Sequence, residues 1–94
     1  MSKFYVYMLI SKRLNTLISY VGYTSNLKKR LNLHNKSKGA KFTRGSKWTI
    51  IYSKKYSTKI RAMKEEYLLK HDIKKRNIIK KKFLINENIY FTTI

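Results

Sequence analysis

The chain has 94 residues, 43% of them apolar and 14% aromatic, and sets 23 Lys and Arg against four acidic residues for a formal charge of +19. That length suits one domain with one modest core, and the apolar content excludes a wholly disordered basic tail. The absence of Cys excludes a disulfide framework and a thiolate zinc finger, and it fits a reducing cytosol, so a cytoplasmic location is expected. No apolar run approaches the roughly 20 residues of a membrane span, and none has the flanks of a signal peptide, so no membrane association is expected. His34 and His71 lie far apart without an acidic cluster beside them, which argues against a preformed transition-metal site. So strong a polycation is built to meet polyanions, of which nucleic acid is the commonest.

Residues 4–10 (FYVYMLI) form a continuous aromatic and β-branched run, which predicts a strand buried on both faces. Residues 11–17 read as a polar connection with Asn15 and Thr16 as turn formers. Residues 18–24 (ISYVGYT) predict a second strand, antiparallel to the first because the connection is too short for a crossover helix. Gly22 within it marks a close backbone approach or a bulge. Ser25 or Asn26 then caps a helix starting at Leu27, with Leu27 and Leu31 as its apolar stripe. Arg30 and His34 lie at i and i+4 beside that stripe, and Lys28, Lys29, Asn32 and Asn35 point elsewhere.

Residues 36–47 (KSKGAKFTRGSK) read as a basic glycine-containing loop anchored by Phe42, and residues 48–53 (WTIIYS) as a third strand. Residues 58–70 predict a helix that places Glu66 on one arc with Ala62, Met63, Tyr67 and Leu69. Residues 71–82 continue or restart helix with a dense Lys/Arg cluster. Residues 83–94 fit either a short strand or an ordered tail. The expected fold is α+β, a sandwich-like arrangement of a small three-stranded antiparallel sheet flanked by helices in the order β-β-α-β-α-α. One domain spans residues 1–94, with a core over about 4–70 and a basic helical extension over about 71–94.

Tyr7 and Tyr20 fall on neighbouring strands, Arg30 and His34 on one helix face, and Glu66 on a later helix. Each has an ordinary explanation when taken singly. Tyrosines fill sheets, a basic surface carries Arg and His, and Glu66 has Lys70 as an i+4 partner. A carboxylate half buried beside a phosphate-binding surface is less ordinary, because it repels phosphate unless a cation lies between them.

Together these residues resemble the GIY-YIG nuclease family, in particular its small stand-alone members. The first family motif survives as Tyr5-Val6-Tyr7, where only the final Tyr matches, and the second is nearly intact as Tyr20-Val21-Gly22. Arg30-Leu31-Asn32-Leu33-His34-Asn35 matches the Arg-x-x-x-His-Asn helix, Lys38-Gly39-Ala40-Lys41-Phe42-Thr43-Arg44-Gly45 the loop, and Ala62-Met63-Lys64-Glu65-Glu66-Tyr67 the segment with the metal-binding Glu. The resemblance covers residues 4–70. For the Asn that many family nucleases carry after the Glu helix, Asn86 and Asn88 are the candidates.

The resemblance implies a metal-dependent DNA endonuclease, structure-selective or weakly sequence-specific, with RNA open as a substrate. It makes Tyr7 the general base, with a hydroxyl pKa depressed by Arg30, lysines and the metal. Tyr20 and His34 orient Tyr7 or relay its proton, Arg30 holds the phosphate, and Glu66 binds Mg²⁺ or Mn²⁺. Lys36, Lys38, Lys41, Arg44 and Lys47 are the expected nucleic-acid contacts, and no small-molecule cofactor is implied. Two alternatives stand beside this reading: a catalytically silent nucleic-acid-binding module, and a basic subunit that needs a protein partner for activity or targeting.

Overall fold

In a computed structural model, which describes residues 3–13, 16–39 and 41–86, the chain folds as β1 (Phe4–Arg13), β2 (Thr16–Thr24), α1 (Leu27–Asn35), a short 3-10 turn (Lys41–Thr43), β3 (Thr49–Tyr56), α2 (Lys59–His71) and α3 (Ile73–Asn86). Asn15, Ala40, Asn88 and the rest of residues 87–94 lie outside the described residues. The three strands make one antiparallel sheet in the order β2-β1-β3. This is the expected α+β architecture in the expected element order.

β1 is central, which explains its unbroken apolar run. Val6 through Ser11 are all buried. Alternate residues of a strand face opposite sides of a sheet, so β1 feeds two cores. Val6 and Met8 pack with Val21, Ala62 and Leu69 under α2 and α3, while Tyr7 and Leu9 pack with Trp48 and with Leu27 and Leu31 of α1. The layers are therefore α1, sheet, and the α2–α3 pair. A bulge opposite Met8 and Leu9 inserts Ile51 between paired Ile50 and Tyr52. It turns Ile50 toward the α1 side and both Ile51 and Tyr52 toward the α2 side.

Both long strands outrun their expected ends, since β1 reaches Arg13 and β2 begins at Thr16. The polar residues 11–13 pair with β2 as well as the apolar ones do, because backbone ladders do not depend on side-chain polarity. Asn26 rather than Ser25 caps α1, accepting from the Lys29 amide at 3.0 Å. Thr58 caps α2 through the Arg61 amide at 3.2 Å. α2 stops at Asp72, whose carboxylate takes the Lys75 amide at 3.0 Å and so starts α3.

Residues 83–86 belong to α3, with Leu84 buried, so this part of the ambiguous terminus is helix rather than strand. Residues 87–94 of the same stretch lie outside the described residues. No helix among the described residues is long and apolar enough to cross a membrane.

Candidate active site

Tyr7 and Gly22 face each other across the β1–β2 ladder, and Tyr20 pairs with Leu9 one pleat along on the same face. This register brings the two tyrosine rings to a centroid distance of 6.4 Å. The sheet tolerates them because residue 22 has no side chain. A Cβ there would lie 2.5 Å from Tyr7 Oη and 3.1 Å from the Tyr20 ring. Gly22 therefore marks a close approach of side chains rather than a bulge, as no register break interrupts β1 and β2.

Tyr7, Tyr20, Gly22, Thr24, Arg30, Lys59 and Glu66 line one cleft of about 420 Å³ at the end of the sheet. β1 and β2 supply the tyrosines, α1 supplies Arg30 and α2 supplies Lys59 and Glu66. The Glu66 side chain is 19% exposed, with Lys70 Nζ at 3.7 Å. The ordinary helix pair and the cleft position thus coexist. Lys59 carries no motif that marks it in the sequence, although its spacing of two turns from Glu66 puts it on the same helix face.

His34 is fully buried behind the tyrosines and is not a surface partner of Arg30. Its Nε2 lies 2.9 Å from Tyr7 Oη and its Nδ1 lies 2.8 Å from Thr43 Oγ1. Gly39 makes room for the imidazole, since a Cβ there would fall 2.9 Å from His34 Cε1 and 3.0 Å from Cγ. Thr43, not Phe42, anchors the basic segment: Thr43 is buried and Phe42 is 52% exposed. The Thr43 carbonyl accepts the Trp48 indole N–H at 2.8 Å. Asn35 completes the tie, its carboxamide accepting from the Trp48 amide at 2.6 Å and donating to the Trp48 carbonyl at 3.2 Å.

The buried arc of α2 is narrower than the sequence predicts. Ala62 and Leu69 are buried, but Met63 and Tyr67 are exposed. A flat sheet covers only a narrow stripe of a helix, and Glu66 lies at the edge of that stripe, where it reaches the cleft. Glu65 is nearly as covered, at 26% exposure, and is bound to Arg61 at 3.2 Å. It points into a larger hollow of about 670 Å³ between β3 and the α2–α3 corner, not into solvent. That hollow holds none of Tyr7, Tyr20, Arg30, His34 or Glu66.

Burial raises the Tyr7 pKa, and Tyr20 and Glu66 push the same way against the opposing Arg30. Tyr20 is also raised, by burial first and then by Glu66. This reverses the expected depression of Tyr7, because removal from water outweighs the attraction of one guanidinium. Burial and then Arg30 lower the His34 pKa, which keeps the imidazole neutral. The unfolded chain takes up a proton on this histidine below about pH 6.5 and the folded protein does not, so stability falls as pH drops through that value. Denaturation midpoints at pH 7.5 and 5.5 should show the loss in the wild type and a smaller loss in His34→Gln. A midpoint that does not fall would rule out a buried neutral His34.

Among the described residues, no three His, Cys, Asp or Glu gather to hold a metal. Among the described residues, Glu66 is the only carboxylate lining the cleft. One carboxylate fits a hard divalent ion such as Mg²⁺, which keeps several waters and shares substrate phosphate oxygens, and does not fit zinc, which takes three or four protein ligands. Lys36, Lys38, Lys41, Arg44 and Lys47 are all exposed on the segment between α1 and β3, outside the cleft. Asn86, also exposed, ends α3 and does not line the cleft.

The β-β-α-β-α-α order is that of a known fold family, and the family model described as the GIY-YIG catalytic domain matches residues 3–82. The chain belongs to the GIY-YIG family. Nucleases of this family act on DNA and generally use divalent metal ions. A UPF0213 protein of Oceanobacillus iheyensis is 46% identical over 67 residues, covering 70% of this chain and 74% of its own length. A UPF0213 protein of Limosilactobacillus reuteri is 34% identical over 90 residues, 93% of this chain and 88% of its own length. One from Bacillus velezensis is 39% identical over 77 residues, covering 79% and 78%. No solved structure matches the chain.

Proposed function

We propose that the protein is a metal-dependent endonuclease that hydrolyses phosphodiester bonds in DNA, structure-selective or weakly sequence-specific. The observation that carries this reading is one cleft where a partly buried carboxylate, Glu66, meets Arg30 and two tyrosines in a chain of charge +19. A silent binding module has no use for a carboxylate facing phosphate, which only weakens its affinity.

Arg30 supplies a permanent planar donor to the phosphate oxygens that gain charge during attack. Glu66 would hold Mg²⁺ or Mn²⁺, and such an ion supplies Lewis-acid stabilisation of the developing charge. Tyr7 is a poor base alone, given its raised pKa, but its hydroxyl contacts a neutral imidazole. With hydrogen on Nδ1 donated to Thr43, His34 Nε2 accepts the Tyr7 proton while Tyr7 Oη takes the proton of the attacking water. The raised Tyr7 pKa disfavours a free tyrosinate, and the lowered His34 pKa leaves the imidazole unprotonated and able to accept, at the cost of basicity. Tyr20 walls the cleft beside the relay, with its ring 5.1 Å from that of His34. Lys36, Lys38, Lys41, Arg44 and Lys47 attract the backbone electrostatically.

The test is a panel of linear, nicked and branched DNAs incubated with Mg²⁺ or with EDTA. Cutting of at least one DNA with Mg²⁺ and none with EDTA is expected. No cutting of any substrate would favour the silent module, and cutting that appears only on adding cell extract would favour a subunit that needs a partner.

A further inference from the structure

Phe42 is an exposed aromatic with unusual company. Its ring lies 6.3 Å from that of Tyr20 and only 21° from parallel, so the two are stacked. Tyr20 itself lines the cleft. The Arg13 guanidinium lies 5.5 Å from the Phe42 ring centroid. Arg13 also fixes the segment beneath: Nε donates to Ser46 Oγ at 2.6 Å, and Nη2 donates to the carbonyls of Phe42 at 3.0 Å and Arg44 at 3.4 Å. Phe42 is thus held in place by its backbone while half its surface meets water. Lys41 and Arg44, both exposed, flank it in sequence.

A held, half-exposed aromatic ring with a guanidinium over it and further cations in its own segment suits nucleic-acid binding by base stacking, with phosphates on the cations and a base on the exposed part of the ring. A paired base inside a duplex cannot offer its face without first unstacking. We propose that Phe42, continuing the Tyr20 stack and latched by Arg13, seats one unpaired nucleobase beside the cleft. The site then prefers nucleic acid with an unpaired nucleotide next to the scissile phosphate. This inference rests on the nucleic-acid reading of the cleft and adds its substrate class.

The alternative role for Phe42 is apolar cover over Tyr20 and Trp48, which leucine would supply as well. The experiment therefore compares wild type, Phe42→Leu and Phe42→Trp without metal. Each binds a short strand carrying one 2-aminopurine, as a single strand and as a blunt duplex. Thermal melts confirm that each variant is folded. Wild type should quench the probe in the single strand and not in the duplex. Phe42→Leu should lose that quenching and bind the single strand roughly tenfold more weakly, the size of one base–aromatic stack. Its duplex affinity, carried by phosphate contacts, should change by less than about twofold, and Phe42→Trp should keep both properties. Matched deoxyribose and ribose strands show which sugar the seat accepts.

Equal losses on single strand and duplex, or undiminished single-strand binding by Phe42→Leu, would overturn the seat. Absence of quenching by wild type overturns it without any variant. Because no cutting is needed, quenching by a protein that never cuts would sink the nuclease reading and spare the seat, and cutting without quenching would do the reverse.

Discussion

Glu66→Ala should abolish Mg²⁺-dependent cutting while DNA affinity stays equal or rises. The carboxylate is held at the edge of the helix stripe that Ala62 and Leu69 bury, facing the cleft that also holds Tyr7, Tyr20 and Arg30. Its loss removes the only carboxylate that lines the cleft among the described residues, and also a charge that repels phosphate. Its contact with Lys70 at 3.7 Å is half exposed on the lysine side, so breaking it costs about 0.3–0.5 kcal/mol at most. A melt should therefore barely move while the cleavage rate collapses. Glu65→Ala is the matched control. It removes an adjacent carboxylate that is bound to Arg61 and faces the other hollow, and it should cut normally. A folded Glu66→Ala protein that still cuts with Mg²⁺ would end the proposed mechanism.

Tyr7→Phe should slow cleavage by roughly 10²–10⁴-fold, the usual contribution of a positioned proton-transfer group. The ring would remain in the core with Leu9 and Trp48, so only the hydroxyl is lost. That hydroxyl lines the cleft and hydrogen-bonds buried His34, at 2.9 Å from Nε2. Its removal leaves a buried nitrogen without that partner, which costs about 1–3 kcal/mol of stability. DNA binding should be unaffected, because a neutral hydroxyl contributes little beside a charge of +19. Single-turnover cleavage at saturating DNA, beside a thermal melt, separates the two effects. Rates within a few-fold of wild type would remove Tyr7 from the chemistry.

The parts of this molecule that show in its sequence are those with a period or a neighbour. β1 announces itself because burial on two faces demands an unbroken apolar run. Gly22 shows as the one residue without a side chain between Tyr20 and Tyr23 in a strand that otherwise carries bulk. Leu27 and Leu31 mark the inner face of α1 by their i,i+4 spacing. Thr43 shows nothing of the kind. It is a single hydroxyl in a lysine-rich segment, and its role follows only from where Trp48 pulls that segment down onto His34. Asn35 looks like a polar outward residue on a helical wheel, yet it fixes the Trp48 backbone from the last turn of α1. A helical wheel puts Met63 and Tyr67 on the buried arc because it gives angles but not the width of the surface that covers them. The end of α3 is ambiguous in sequence because Phe83-Leu84-Ile85-Asn86 suits a strand or a helix equally, and only the burial of Leu84 against the fold decides it.

The central place of β1 also sets an order in time. Its partner β2 begins three residues after β1 ends, so that hairpin can close in microseconds. Its other partner does not begin until Thr49, and the intervening chain must be gathered before that pairing gives any return. Tyr7, Tyr20 and Gly22 should therefore meet early. The links from His34 through Thr43 to Trp48 should come last, as β3 docks. Trp48 is the sole tryptophan in the chain, so its emission during refolding would follow this final step, and the recovery of cutting should keep pace with it.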